Sequence, residues 1–225
     1  MVHGKPHTAA IRLFEIVALN QYPFISLTLE QRKQTFCEIY KDLALAEEQG
    51  YRTPYPYPQL RPMFVQRQID QLSIQIEANL MIDKPLSLDE LLKECKEAHK
   101  PIQILKCMEL LEKTDPAVIL LCWHEILNNS FQCHGSYDTQ FITEIVRIID
   151  TFHDDIYVPF SGILTILLSQ ALQSLSSCEQ VRNVVCLFVT RCHKSRSFVA
   201  TELRGLLETR RDESWRLLVS ECIVE

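Results

Sequence analysis

Apolar residues recur every three to four positions along most of this 225-residue chain, and this spacing restricts its fold more than any other feature. A period of 3.6 residues places such side chains on one face of an α-helix, whereas a half-buried strand alternates every second residue. No convincing alternating run and no Asn-Gly hairpin signal occurs, and glycine occurs only five times. So few glycines also argue against turn-rich β-sandwiches. The sequence therefore predicts an all-α fold.

The starts of the helices carry local signals. In a capping box the side chain of a Ser or Thr accepts from a free backbone N–H, and a Glu or Gln three residues on reaches back. Three such boxes occur: Thr28 with Gln31, Ser87 with Glu90, and Ser177 with Gln180. Asp115 before Pro116, and Asp138, are further predicted caps.

Together the period and the caps predict ten or eleven helices in a single domain, 1–225. The predicted helices cover residues 7–20, 28–49, 63–81, 88–99, 101–111, 115–129, 139–152, 160–175, 178–193, 197–208 and 212–222. The architecture is predicted to be an irregular α-helical repeat or a multi-helix bundle with one Pro-rich extended segment.

The Pro-rich segment covers residues 51–62 and is the clearest break in the pattern. Four prolines in these twelve positions exclude a helix and favour extended backbone. The segment is a candidate boundary within the domain. In one interpretation it is a strap that presents Tyr55 and Tyr57 to a partner. In the other it is a rigid connector whose tyrosines pack on the protein's own helices.

Two helix pairs, at 115–153 and 158–193, each cover about 40 residues and open at or near a proline. In period and style this resembles the HEAT and armadillo-type helical repeats. The Pro-rich segment and the unequal helix lengths depart from a regular array, and a compact bundle is the alternative. The resemblance implies a stacked scaffold whose curved surface binds other proteins.

Motifs that carry chemistry are incomplete. His124-Glu125 begins like the zinc-protease HExxH, but Asn128 stands where the second histidine is required. Asp154-Asp155 lacks the alternate ligand spacing and the glycine of a calcium loop. Phosphate-binding glycine loops and serine-nucleophile motifs are missing. We therefore expect no enzyme activity, no catalytic residue, no cofactor and no bound metal.

The nine cysteines are odd in number and form no CxxC, and most lie at apolar-periodic positions. This placement favours buried free thiols in a reducing compartment. The start of the chain does not resemble a secretory signal, and no apolar run approaches the length of a membrane span. These features predict an intracellular protein, nuclear or cytoplasmic, without a membrane partner.

Charge is uneven along the chain. Residues 114–180 carry eight acidic side chains and one basic side chain, Arg147, within a whole-chain charge of −6. An acidic middle disfavours direct nucleic-acid binding and would suit a basic protein partner. The alternative is that these charges only solvate helix faces.

Near the end of the chain, Trp215, Leu218 and Val219 share one face of the predicted last helix. That face either packs inward or docks a partner or a second copy, with Trp215 as the main anchor. The predicted function is a non-enzymatic α-helical interaction scaffold or adaptor, a subunit or domain of a larger complex. The alternative is a helical enzyme or nucleic-acid-processing factor whose site is assembled from distant residues.

Overall fold

The computed structural model describes residues 5–18, 26–51 and 54–174, together with residues 180, 183–185 and 187–188. Across these residues it is all-α, as predicted, with no strand. The elements are α1 (Pro6–Val17), α2 (Leu29–Glu48), α3 (Pro62–Ala78), α4 (Leu88–Glu97), α5 (Pro101–Leu110), α6 (Pro116–His134), α7 (Thr139–Ile149), a 3-10 helix (Asp155–Tyr157) and α8 (Phe160–Ser174).

Several predictions fall at the end of the chain. Residues 180, 183–185 and 187–188 are helical, within the predicted helix 178–193. The predicted helices at 197–208 and 212–222 lie outside the described residues, and so do Ser177, Trp215, Leu218 and Val219.

The predicted caps open the helices. Thr28 Oγ1 accepts from the Gln31 N–H at 3.2 Å, and the Gln31 side chain accepts from the Thr28 N–H at 3.0 Å. Ser87 and Glu90 make the same reciprocal pair at the start of α4. Asp115 caps α6 ahead of Pro116. Because each cap uses only neighbouring atoms, these starts could be read from the sequence.

The helix ends were predicted less well. The predicted end of α6 near residues 128–129 was wrong, because the helix continues to His134. Gly135 then adopts φ +70°, a left-handed conformation that suits glycine and ends the helix. Asn128 and Asn129 weaken a helix only slightly, so packing along α6 overrides their low propensity. In α3 the end comes earlier than expected, where Asn79 turns left-handed at φ +50°.

The chain divides into two compact units, Met1–Glu112 and Lys113–Glu225, and each is described by itself. The Pro-rich segment lies within the first unit, and the single domain 1–225 stays a prediction. In the first unit, α2 packs against α1 and α3, and α5 packs against α3 and α4. The core between α1, α2, α3 and the Pro-rich segment contains Ala10, Phe14, Val17, Phe36, Ile39, Leu43, Leu60, Val65, Ile69 and Leu72.

In the second unit, α6 packs against α7 and α8. Trp123 is fully buried in this core, with its ring edge-on to Phe152 at 6.0 Å between centroids. At Gly162 in α8, a Cβ atom would overlap the side chain of Leu120, so glycine permits the close approach of α6 and α8.

Candidate functional site

The Pro-rich segment forms a strap, residues 54–61, between α2 and α3. Its side chains alternate: Pro54, Pro56 and Pro58 are exposed, whereas Tyr55 and Tyr57 are half-buried. Proline has no backbone N–H to donate, so this backbone cannot be held by a regular hydrogen-bond ladder. Its position depends instead on side chains that face inward.

Tyr57 fixes the strap to α1. Its ring lies 5.5 Å from the ring of Phe14, and its hydroxyl donates to Glu15 Oε1 at 2.9 Å. The Leu60 N–H donates to the Tyr57 carbonyl at 3.0 Å, which closes a turn, and the Leu60 side chain is fully buried. One aromatic and one aliphatic side chain thus hold both sides of the turn.

A column of three rings supports the beginning of the strap. His7 stacks on Tyr51 at 4.2 Å between centroids, and Tyr51 lies against Tyr55 at 5.0 Å. The Tyr55 hydroxyl is buried and has no hydrogen-bond partner. Burial raises the pKa of Tyr55, and the neighbouring Tyr51 and Glu47 raise it further. This phenol therefore stays neutral at physiological pH.

These contacts match the interpretation of the strap as a rigid connector whose tyrosines pack on the protein's own helices. The direct binding of a partner by Tyr55 and Tyr57 stays a prediction. The strap exposes its prolines together with the polar side chains of Gln59 and Arg61, and the first turn of α3 adds exposed apolar side chains. Met63 is 70% exposed and Phe64 is 39% exposed. We call Pro54, Pro56, Pro58, Met63 and Phe64 the strap face.

Met63 and Phe64 were not predicted as exposed residues, because both fit the helical period and could be taken for core. A signal was available, because Val65 and Ile69 already supply the inward face of α3 and both are buried. Apolar residues directly before such a face, at a helix start, point in other directions.

Residues of the incomplete HExxH motif connect two helices through hydrogen bonds. His124 is exposed, and its Nδ1 lies 3.0 Å from the side-chain nitrogen of Asn128. The Gln170 side chain donates to Asn128 Oδ1 at 2.6 Å and so ties α8 to α6. Asn128, which breaks the zinc motif, is here the central hydrogen-bonding residue.

A second histidine, His134, also connects two helices. His134 Nε2 lies 2.6 Å from Glu144 Oε2 and connects the end of α6 to α7. A histidine paired with a carboxylate is a group that proton transfer can use. Here it also places a basic group at a helix C-terminus, where the helix dipole favours positive charge.

Within the described part of the chain, no group of three or more His, Cys, Asp or Glu side chains could hold a metal ion. Asp154 instead caps the 3-10 helix through the Ile156 N–H at 2.9 Å. Of the described cysteines, Cys95, Cys107 and Cys122 are buried, Cys37 is half-buried and Cys133 is exposed.

Two of the buried cysteines, on α4 and α5, are in contact. The hydrogen bond between the thiols of Cys95 and Cys107 raises the pKa of Cys107, and burial raises it further. The Cys107 thiol is therefore protonated and serves as a weak donor within the core, as free buried cysteine usually does.

Comparison of the chain with protein-family models, curated proteins and solved structures finds no match. Among the described residues, no helix combines the length and the apolar character needed to cross a membrane.

Proposed function

We propose that this chain is a non-enzymatic α-helical scaffold or adaptor that binds other proteins within a larger intracellular complex, in the nucleus or cytoplasm. The observation that carries the proposal is the strap face. Five apolar side chains are exposed along one short stretch, while Tyr57 and Leu60 keep the backbone beneath them in place.

A surface of this kind binds at low entropic cost. The proline rings restrict the backbone at their own positions, and the inward tyrosines hold the strap between them. Little conformational entropy therefore remains to be lost when a partner docks. Exposed prolines are also the feature that aromatic-lined grooves of other proteins recognise. Met63 adds a flexible apolar side chain that can adapt to an uneven surface. The expected partner is thus a protein with an apolar or aromatic groove.

The acidic stretch 114–180 supports a preference for basic partners. Long-range attraction between opposite charges mainly increases the rate of association and disfavours partners of the wrong sign. We do not expect the chain to bind nucleic acid directly, because phosphate groups would meet this negative charge. A HEAT or armadillo-like stacking of helices, which the period of the sequence resembles, would give the same kind of function.

The test compares partners captured from cells by three full-length proteins. These are the wild type, the double variant Met63→Asp with Phe64→Asp, and the control Met81→Asp. Met81 is 97% exposed, lies in the same unit and is outside the strap face. Aspartate is favourable in the first turn of a helix, so the double variant should keep α3 intact. Circular dichroism checks the helix content.

We expect the double variant to lose proteins that the wild type and Met81→Asp both retain. A wild type that captures nothing specific, or a double variant that captures the same proteins, would contradict binding through the strap face.

The last predicted helix gives a second, separate test. We expect a dimer, a larger species or a co-purified partner of the wild type in sedimentation. Trp215→Ala or Leu218→Asp should remove that species with helix content unchanged. A wild type that stays monomeric and without a partner at high concentration would favour the alternative, in which Trp215, Leu218 and Val219 pack in the core.

A further inference from the structure

Two arginines border the strap face. Arg61 lies directly before the first turn of α3, and Arg67 follows Met63 by four residues and Phe64 by three. Side chains at these spacings are neighbours on the surface of a helix, so Arg67 stands beside both apolar side chains. Both arginines are exposed. The strap face therefore combines exposed apolar groups with two positive charges.

Arg67 is held in this place by a neighbouring helix. Its Nη2 donates to the Leu110 carbonyl at 2.9 Å, at the C-terminus of α5, and the other donors of the guanidinium are left for an acceptor from outside. The next carboxylate on α3, Asp70, is half-buried and accepts from Gln66 at 2.9 Å. Within the part of the chain that the structure describes, neither Arg61 nor Arg67 pairs with a carboxylate.

The strap and the first turns of α3 carry no acidic side chain of their own. Residues 54–69 include the two arginines and no Asp or Glu. Two carboxylates from other helices meet the strap at its half-buried tyrosines, where Glu15 accepts from Tyr57 and Glu47 neighbours Tyr55. The prolines, by contrast, are exposed. The outward charge of the strap face is therefore positive.

We propose that the partner surface that docks on the strap face is acidic as well as apolar, an inference that rests on the proposed function and adds the charge of the partner. Its Asp or Glu side chains accept from Arg61 and Arg67, while its apolar side chains lie against Met63 and Phe64. Arginine suits this role because its planar fork can donate two parallel N–H bonds to one carboxylate. Since residues 114–180 are acidic, the two features select partners of opposite charge.

An anionic membrane would offer the same two kinds of contact. Stable attraction to anionic lipids, however, takes clusters of about four to eight Lys or Arg side chains. Arg61 and Arg67 are the two that border this face, which is enough to pair with individual carboxylates of a protein. An acidic protein surface therefore fits the strap face better than a lipid surface.

The simplest surface of this chemistry is an amphipathic helix with an apolar face bordered by glutamates. The experiment titrates the full-length protein with three such peptides, which share their length and apolar residues and carry Glu, Gln or Lys at the bordering positions. Fluorescence anisotropy gives the affinities, and NMR of methyl-labelled methionines gives the place of binding. The Met63 methyl signal should shift, whereas that of Met81, which is 97% exposed and outside the strap face, should not.

We expect the Glu peptide to bind roughly fivefold more tightly than the Gln peptide, as two exposed ion pairs provide, and the Lys peptide to bind most weakly. High salt should reduce the difference between the Glu and Gln peptides, because it screens exposed charges.

The double variant Arg61→Gln with Arg67→Gln should lower the affinity for the Glu peptide to that for the Gln peptide. The matched control is Lys41→Gln with Lys96→Gln, which removes two exposed positive charges from the same unit outside the strap face and should bind like the wild type. Arg61→Lys with Arg67→Lys keeps the charge and should keep the preference. This variant tests the inference even if the glutamine variant loses its helix content in circular dichroism.

Equal binding of the Glu and Gln peptides, with a shift of the Met63 signal in both, would overturn the acidic preference and leave the proposed function standing. Binding of neither peptide, an unmoved Met63 signal at saturation, or an equal loss in the lysine control would each overturn the inference. A Met63 shift with vesicles of phosphatidylserine and phosphatidylcholine, but not with the Glu peptide, would do the same. In these cases capture of partners by the variant Met63→Asp with Phe64→Asp decides the proposed function separately.

Discussion

In each unit, one buried side chain holds the connector between two helices. The two side chains do so by different interactions. In the first unit, Gln75 on α3 is 1% exposed and holds the connector that leads to α4. Its amide nitrogen donates to the carbonyls of Ile82, at 3.2 Å, and Lys84, at 2.7 Å, and its oxygen accepts from the Leu86 N–H at 3.0 Å. One buried amide thus satisfies three backbone groups.

In the second unit, Trp123 on α6 holds the connector between α7 and α8. Its indole N–H donates to the Tyr157 carbonyl at 2.7 Å, and its ring fills the core. The stabilisation from Trp123 is mainly apolar burial with one hydrogen bond, whereas that from Gln75 is almost entirely hydrogen bonding. The comparison teaches that a single buried side chain can organise a connector by either route, and that the consequences of its loss differ.

The largest effect is expected from Trp123→Ala. Removing a fully buried tryptophan leaves a cavity and costs about 3–5 kcal/mol, to which the lost hydrogen bond adds. Urea unfolding followed by circular dichroism gives the free energy, and hydrogen exchange should locate the loss in α6–α8. Leu121→Ala is the control on the same helix, because Leu121 is 63% exposed and its loss should change the free energy of unfolding by less than about 0.5 kcal/mol. If both variants lower the free energy of unfolding equally, the burial of Trp123 does not stabilise the connector of the second unit.

Gln75→Leu is expected to come second. Leucine keeps the volume but leaves the Leu86 N–H and two carbonyls without their partner, at a cost of about 2 kcal/mol. Hydrogen exchange should quicken at Leu86. The matched control is Gln66→Leu on the same helix, because Gln66 is exposed and bonds only within α3, to Asp70. If Gln75→Leu is as stable as the wild type, buried hydrogen bonds do not organise this connector.

Tyr57→Phe extends the comparison to a half-buried side chain, which uses both an aromatic contact and a hydrogen bond. The ring contact with Phe14 should survive, and loss of the hydrogen bond to Glu15 should cost about 1 kcal/mol. Thermal unfolding measures the change, and Tyr40→Phe, on the exposed side of α2, provides the control. A cost equal to that of Gln75→Leu would show that partial exposure does not weaken such a bond.

Sequence reasoning reached the local features of this fold. The caps at Thr28, Ser87, Asp115 and Asp138 could be read directly, because each depends on atoms two or three residues away. Phe141 is fully buried, at a position that fits the helical period of α7.

Long-range features could not be read in this way. Gln75 looks like a surface residue in sequence, since glutamine is seldom buried, and only the folded connector supplies its three partners. The hydrogen bond from Arg32 on α2 to the Val17 carbonyl depends likewise on the meeting of α1 and α2. The sequence singled out the strap by its prolines, but which of its side chains point outward is decided by contacts with α1.

The smallest expected effect concerns pH and compares one exposed cap in each unit. Hydrogen bonds lower the pKa of Glu90 below 4.5, from the Ser87 side chain first and its backbone second. The Phe141 N–H, and after it the Ser136 side chain, donate hydrogen bonds that lower the pKa of Asp138 below its ordinary value of 3.8. Because both carboxylates titrate lower when folded, their contribution is present above the ordinary pKa and is lost as pH falls through the folded value. Urea unfolding at pH 6 and pH 3 should therefore show a smaller acid loss for Asp138→Asn, since asparagine also caps but does not titrate, than for the wild type. The control Asp83→Asn, at a position that caps none of the described helices, should lose as much stability in acid as the wild type. If it differs from the wild type as much as Asp138→Asn does, the acid loss comes from the overall charge of the protein and not from the cap.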